Sequence, residues 1–204
     1  MQGRYTIDYL SAVSFTKGLG CGCLDMGVSS AYYLDTDEKR KKVLNKIQKA
    51  YAEEYGVPSV EDFFAQCVRT NFYMQPILSN VIGKECALTF GYIKDGETDY
   101  FKQDNSFYKE KLTSKVSGVV NIHAWLTLPS MEILDLTICT TRLVALLKDK
   151  NLTPHDYQQQ LMASDDFGGV VVGDGNNLTG TSLIYYPQVV GFDYAFKSGF
   201  VQVA

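Results

Sequence analysis

The sequence has no run of about 18 to 20 uninterrupted apolar residues, the length that a helix needs to span a bilayer. Its first six residues also lack the basic and then apolar layout of a secretory signal peptide. We therefore expect a soluble, cytoplasmic protein with no membrane partner. Export by a route that needs no signal peptide stays compatible with this sequence.

Strong positive charge is also absent, because 19 lysines and arginines are outnumbered by 23 aspartates and glutamates. The formal net charge is -4, and one basic cluster, Lys39 to Lys42, stands out on a predicted helix. A protein that binds nucleic acid through general attraction to phosphate needs many more positive groups. We therefore expect no nucleic-acid partner.

Hydrophobic residues make up 46% of the chain and aromatic residues 13%. That proportion excludes a disordered protein, because it supplies enough apolar surface to offset the entropy lost on folding. A length of 204 residues is suited to one sizeable core. We predict a single domain over residues 1–204.

Cysteines are few, and their number is odd, which favours thiols over a disulfide framework. The five are Cys21, Cys23, Cys67, Cys86 and Cys139. A zinc site would have to combine Cys21 and Cys23 with Cys67 or His123, and this falls short of the usual two pairs of ligands. We expect neither a metal nor a cofactor.

Apolar spacing predicts helices in the first half of the chain. One begins at Asp37 and ends at Gly56, after an irregular N-terminal segment. A second begins with the capping-box pattern of Ser59 to Asp62, is kinked or divided at Pro76, and ends at Gly83. Cys67 then lies either in the middle of this helix or at a restart after a break near Ala65 and Gln66.

Alternating apolar residues predict strands in the second half, so the fold class is α+β. The segment from Asp95 to Lys115 is polar and predicts a long loop or an excursion. The strands are expected at 86–92, 119–128, 133–137, 170–172 and 183–196, with short helices at 142–148 and from Thr153. Residues 168–204 form a strand-rich C-terminal extension in this interpretation.

The chain has only two histidines, so imidazole chemistry has two candidates. His123 shares one face of its predicted strand with Trp125 and Thr127. A three-residue loop before the next strand would place Asp135 on the same face, next to His123. Asp135 could then orient the imidazole and stabilise its charged form. His155 is expected on the surface.

Three motifs together resemble a known family. They are the strand from Glu85 to Ile93 with its Gly-Tyr step, the triplet His123-Ala124-Trp125, and Asp135-Leu136-Thr137. In this order they are similar to the core of the transglutaminase-like branch of papain-fold cysteine hydrolases and acyltransferases. The resemblance covers about residues 66–137. It implies a papain-like α+β core, a helix packed on an antiparallel sheet, with helical decoration at the N-terminus.

The resemblance also implies a nucleophilic cysteine at the start of the helix that leads into the Gly-Tyr strand. Cys67 matches that place by order, although a helical run from Phe63 to Gln66 is expected before it. Cys23 is the alternative. A thiol at the start of a helix, beside an imidazolium, gives up its proton more readily than a free thiol. The Gln66 side chain is the candidate donor of an oxyanion hole.

The implied function is a thiol-dependent hydrolase or acyltransferase that uses Cys67, His123 and Asp135. Its substrate would be an amide, a peptide or a glutamine side chain. Two alternatives keep the same fold. One is a non-catalytic binding module, and the other is a toxin or effector that modifies proteins with the same three residues.

Overall fold

A computed structural model describes residues 3–56, 59–114, 120–164 and 169–201 of the chain. Its helices are α1 (Arg4–Gly18), α2 (Asp37–Tyr55), α3 (Val60–Phe63), α4 (Cys67–Ile82), α5 (Asn105–Ser114), α6 (Ile138–Lys148), α7 (Pro154–Met162) and α8 (Phe192–Lys197). Its strands are β1 (Ala87–Asp95), β2 (Thr98–Tyr100), β3 (His123–Thr127), β4 (Glu132–Asp135), β5 (Val171–Asp174) and β6 (Leu183–Val190). None of the helices in these ranges is long and apolar enough to cross a membrane.

The strands form one antiparallel sheet in the order β2-β1-β3-β4-β5, and β6 also pairs with β1. Residues 87–91 of β1 pair with β3, and residues 89–95 pair with β6. The C-terminal strand β6 is therefore part of the sheet and pairs with β1, the strand that carries the Gly-Tyr step. The α+β class is confirmed.

The two faces of the sheet bury different helices. Ala124, Leu126 and Leu128 share one apolar cluster with the buried residues of α2 and α4, whereas Trp125 belongs to a second cluster with the buried residues of α1. The predicted alternation along β3 is therefore confirmed, and it follows from the two-residue period of a strand. α1 is further attached by the hydroxyl of Tyr5, which accepts a hydrogen bond from Trp125 Nε1 at 2.8 Å.

The predicted second helix is two helices. The capping box at Ser59 is confirmed, but α3 ends at Phe63 and α4 begins at Cys67. The helical run expected from Phe63 to Gln66 is wrong, because Ala65 has a φ of 55° and so cannot continue a right-handed helix. Cys67 lies at the restart.

Pro76 does not divide α4, which continues to Ile82 and ends at Gly83 in a left-handed conformation. Met74 and Leu78 on either side of the proline are buried in the core. Their packing holds the helix together where the proline removes one backbone donor.

Several other predicted elements are wrong in extent. The expected irregular start is α1. The segment expected to be a long loop or an excursion contains β2 and α5, and its last residue, Lys115, lies outside the described residues. The strand expected at 119–128 begins only at His123, and Val119 lies outside the described residues. The last strand ends at Val190, because Gly191 has a φ of 110° and α8 follows it.

Gly91 provides a test of the contact between β1 and β6. A methyl group at Gly91 would overlap the carbonyl oxygen of Tyr186 and lie 2.8 Å from the Trp125 ring. Because these atoms belong to paired backbone and to a buried ring, we expect Gly91→Ala to lower the free energy of unfolding by about 2 to 3 kcal/mol. Urea denaturation measures this change.

Gly18→Ala is the matched control. Gly18 ends α1, and an added methyl group would meet no atom within 4 Å. Alanine in a helix is up to about 1 kcal/mol more favourable than glycine, so this variant should be neutral or slightly stabilised. Equal effects of the two substitutions would contradict a close approach specific to Gly91.

Candidate functional site

His123 and Asp135 form a buried pair across the β3–β4 hairpin. Three residues separate Leu128 from Glu132, whose carbonyl oxygen accepts a hydrogen bond from Leu128 N at 2.8 Å. Leu126 pairs with Leu134, so Asp135 falls diagonally across from His123. Asp135 Oδ2 lies 2.6 Å from His123 Nε2. The predicted three-residue loop and the shared face are confirmed.

Donors surround the Asp135 carboxylate. Oδ1 accepts hydrogen bonds from Thr137 N at 3.0 Å, Thr137 Oγ1 at 3.1 Å and Ile138 N at 3.2 Å. Oδ2 also accepts a hydrogen bond from the Tyr185 hydroxyl at 2.9 Å. Burial by itself raises the pKa of Asp135, but His123 and these hydrogen bonds outweigh it and lower the pKa below its usual value. The carboxylate therefore stays charged.

Opposing effects also act on His123, which is 1% exposed. Burial lowers the pKa of the imidazole, but the Asp135 carboxylate and the contact with the Cys67 thiol outweigh it and raise the pKa to about 10. The ring is therefore held as an imidazolium at neutral pH. Because Nε2 is bonded to Asp135, Nδ1 is the nitrogen that remains for the thiol.

Cys67 is the first residue of α4 and is 7% exposed. Its Sγ lies 3.5 Å from the carbonyl oxygen of Ile122, the residue before His123. The thiol also contacts the His123 ring closely enough to act on its pKa. The start of α4 and the start of β3 thus meet at one point, where sulfur, imidazole and carboxylate follow one another.

Asn71 connects the two elements that carry the thiol and the imidazole. Its side-chain Nδ2 donates to the carbonyl oxygen of Cys67 at 2.8 Å and to that of Ala124 at 2.9 Å. Both partners are carbonyl oxygens, which can only accept, so the amide nitrogen must face them, and Oδ1 has no partner among the described residues. Asn71 is fully buried. It holds the first turn of α4 against β3.

Phe101 covers one side of the imidazole. Its ring stacks on His123 with the centroids 5.1 Å apart, and Trp125 lies 6.0 Å away at a similar angle. Phe101 has a φ of 66°, which is uncommon for a bulky residue. The ring is therefore enclosed between aromatic side chains.

The other candidates from the sequence lie in different surroundings. Gln66 is the N-cap residue of α4, is half-buried, and does not cap the helix with its side chain. Cys23, the alternative nucleophile, lies between α1 and α2 and not at the start of a helix. Its Sγ is 3.5 Å from the carbonyl oxygen of Val190, and burial raises the pKa of this thiol. His155 is exposed on α7.

Among the described residues, no three histidines, cysteines or carboxylates gather in a way that could hold a metal ion. The side chains of Cys67, His123 and Asp135 follow one another and do not form such a group. Together they provide a thiol beside a base that a carboxylate orients.

Sequence reasoning missed Tyr185, Asn71 and Phe101. The alternation Leu183-x-Tyr185-x-Pro187 could have placed Tyr185 on a buried face. Asn71 lies four residues after Cys67, a spacing that puts both on one side of a helix. No local pattern around Phe101 indicates a contact with His123.

Comparisons with known proteins return no relative of this chain. No protein-family model matches it, and neither curated proteins nor solved structures match it at a significant level. The similarity to transglutaminase-like enzymes therefore rests on the motifs within residues 66–137.

The raised pKa of His123 predicts a pH dependence of stability. A histidine in the unfolded chain titrates near pH 6.5, so the stabilisation from the His123–Asp135 pair is complete below that pH. It should be lost progressively as the pH rises from about 6.5 towards 10. Urea denaturation should show the advantage of the wild type over His123→Gln shrinking across this window.

His155→Gln is the control, because His155 is exposed. Its stability relative to the wild type should stay constant over the same pH range. An advantage over His123→Gln that does not change between pH 6.5 and 9.5 would contradict a charged, buried pair.

Proposed function

We propose that this protein is a thiol-dependent hydrolase or acyltransferase with a papain-like, transglutaminase-like core. Its substrates would be amides, peptides or glutamine side chains. One observation carries the proposal: the Cys67 thiol lies close enough to the His123 imidazole to raise its pKa, and Nε2 of that imidazole lies 2.6 Å from the Asp135 carboxylate. A nucleophile, a base and a group that orients the base are the parts that acyl transfer requires.

In the first step, His123 holds the proton of Cys67 on Nδ1, and the sulfur attacks the carbonyl carbon of the substrate. A C–S bond forms, and the carbonyl π electrons move onto oxygen. Asp135 stabilises the imidazolium through Nε2 and keeps the ring in place. The product of this step is a tetrahedral oxyanion.

The start of α4 offers donors for that oxyanion. The first backbone N–H groups of a helix have no partner within the helix, and the positive end of its dipole favours negative charge. Cys67 N is one of these groups, since Cys67 is the first residue of α4. The Gln66 side chain, on the preceding residue, is the proposed second donor.

In the second step, the oxyanion collapses, the C–N bond breaks, and the imidazolium gives its proton to the leaving amine. The acyl group stays on sulfur as a thioester. Water then attacks it in a hydrolase, or an amine attacks it in an acyltransferase, and His123 takes the proton of the attacking group. The thiol is released with its proton restored from the imidazolium.

The backbone before Cys67 gives independent support. Ala65 has a φ of 55°, a left-handed conformation that costs a non-glycine residue about 1 kcal/mol or more. Such strain is concentrated at functional sites, where the surrounding structure holds it. Here it separates α3 from α4 and so leaves Cys67 at a helix start.

Thiol reactivity tests the proposal. We expect iodoacetamide at pH 6 to modify Cys67 at least about tenfold faster than Cys86, because only Cys67 lies at a helix start beside an imidazolium. Burial raises the pKa of the Cys86 thiol to about 12, so Cys86 is an internal control. Peptide mapping by mass spectrometry gives both rates.

His123→Ala and Asp135→Asn should both slow the modification of Cys67, and His155→Ala should not change it. Turnover of glutamine-containing peptides, followed by ammonia release, should be lost in Cys67→Ala. Slow labelling of every thiol, unchanged in His123→Ala, would contradict the enzyme and favour a binding module.

Asn71 should act as a positioning residue. Asn71→Ala removes the link between the carbonyl oxygens of Cys67 and Ala124, so the sulfur and the imidazole are no longer held together. We expect about tenfold slower labelling at pH 6, with the rate recovering as the pH is raised, because a thiol without a nearby base needs higher pH to ionise.

Asn80→Ala is the matched control, since Asn80 is exposed on the same helix. A purely structural role of Asn71 would lower stability by about 1 to 3 kcal/mol, because two hydrogen bonds of a buried side chain are lost, without changing the pH profile of labelling. An unchanged profile in Asn71→Ala would therefore contradict the positioning role.

A further inference from the structure

The C-terminal end of α2 carries negative charge that no basic residue of its last turn offsets. Its last turn contains Glu53 and Glu54 and has no lysine or arginine. The C-terminal end of a helix dipole is itself negative and is normally favourable for cations. Glu53 lies 3.8 Å from Lys49. Within the described ranges, the Glu54 carboxylate has no ion-pair partner.

Aromatic rings from α4 and α8 face this helix end around an open cavity of about 440 Å³. We call it the aromatic cleft, and it is lined by Glu54, Tyr55, Phe72, Tyr73, Gln75, Pro76, Phe192 and Phe196. The volume falls in the range of pockets that bind small molecules or side chains. Glu54 is the only charged group in this lining among the residues that the structure describes.

The rings of the aromatic cleft support one another and stay accessible. Phe72 contacts Phe192 and Phe196 with centroids 5.3 Å apart in each case, and Tyr55 lies 5.7 Å from Tyr73. Yet Tyr55 is 43% exposed, Tyr73 40% and Phe196 41%. Several large aromatic side chains exposed side by side mark a surface that binds a ligand.

The chemistry of the lining selects a cation with a flat apolar face. Aromatic faces attract cations, and the Glu54 carboxylate and the end of α2 add negative potential at the rim. Burial, and after it the neighbouring Glu54 carboxylate, raise the pKa of the Tyr55 hydroxyl to about 12, and both residues line the cleft. A guanidinium group fits best, because it stacks on rings, is weakly hydrated and pairs with carboxylates through two donors.

We propose that the aromatic cleft binds the side chain of an arginine in a partner polypeptide, with Glu54 as its counter-ion. The guanidinium would stack on the rings of Tyr55 and Tyr73 and donate to Glu54. This proposal does not depend on the thiol chemistry, because the cleft residues on α4 lie on later turns than Cys67. It holds for an enzyme and for a binding module alike.

Titration with a capped Gly-Arg-Gly peptide, followed in ¹H–¹⁵N NMR spectra, tests the proposal. We expect saturable shifts of the amides of residues 54–55, 72–76 and 192–196. The same peptide with citrulline, which has the shape of arginine but no charge, should bind at least about fivefold more weakly. A lysine peptide should also bind more weakly, since its ammonium is compact and strongly hydrated.

Two pairs of variants separate the contacts from general effects of charge and folding. Glu54→Gln should weaken binding about two- to fivefold, the size expected of an exposed ion pair, whereas Glu53→Gln should leave it unchanged. Tyr73→Leu should weaken binding, and Tyr73→Phe should retain it, because phenylalanine keeps the aromatic face. Cys67→Ser should bind like the wild type.

Equal affinity for the citrulline peptide, equal loss in Glu53→Gln and Glu54→Gln, or the absence of saturable shifts in the cleft would each overturn the proposal. Equal affinity for the lysine peptide would overturn the choice of arginine. If Cys67→Ser still binds the arginine peptide and Cys67 of the wild type is labelled no faster than Cys86, the proposed function fails and the arginine proposal stands.

Discussion

The Asp135 carboxylate is charged and fully buried, and the surrounding structure depends on compensating that charge. A carboxylate moved out of water is destabilising by several kcal/mol unless donors and a counter-charge replace the water. Here the counter-charge is His123 on β3, and the donors come from the start of α6 and from Tyr185 on β6. Four elements, β3, β4, α6 and β6, are therefore held together around the two carboxylate oxygens of Asp135.

The same constraint connects stability to chemistry. Because Asp135 stays charged, His123 keeps a proton on the nitrogen that faces it, and its other nitrogen remains for a partner. That partner is the thiol of Cys67, which comes from a helix on a different layer of the fold. The strained turn at Ala65 and the two hydrogen bonds from Asn71 hold this helix start against β3.

α4 belongs to two regions with opposite physical character. At its start, the thiol and the imidazole are almost closed to solvent. Electrostatic interactions there are stronger than in water, because the surroundings have a low dielectric constant. On its later turns, Phe72 and Tyr73 form part of an open aromatic surface beside Glu54. A substrate must fit an opening to reach the closed ionic site, whereas a polypeptide can contact the open aromatic surface directly. In the two proposals, one helix thus carries the nucleophile at its start and contributes to the aromatic cleft on its later turns.

Local patterns in the sequence determined the α+β class, the alternation of faces in β3, the capping box at Ser59 and the neighbourhood of His123 and Asp135. These features depend on residues within about a dozen positions of one another, where the periods of helices and strands and the length of a turn leave few choices. Only the tertiary structure decided that Tyr185 bonds Asp135, that Phe101 covers His123, and that Cys67 contacts the ring while Cys23 does not. Those contacts join segments tens of residues apart. Their distances depend on how β6 registers on β1 and how α4 packs on the sheet, and no local period carries that information.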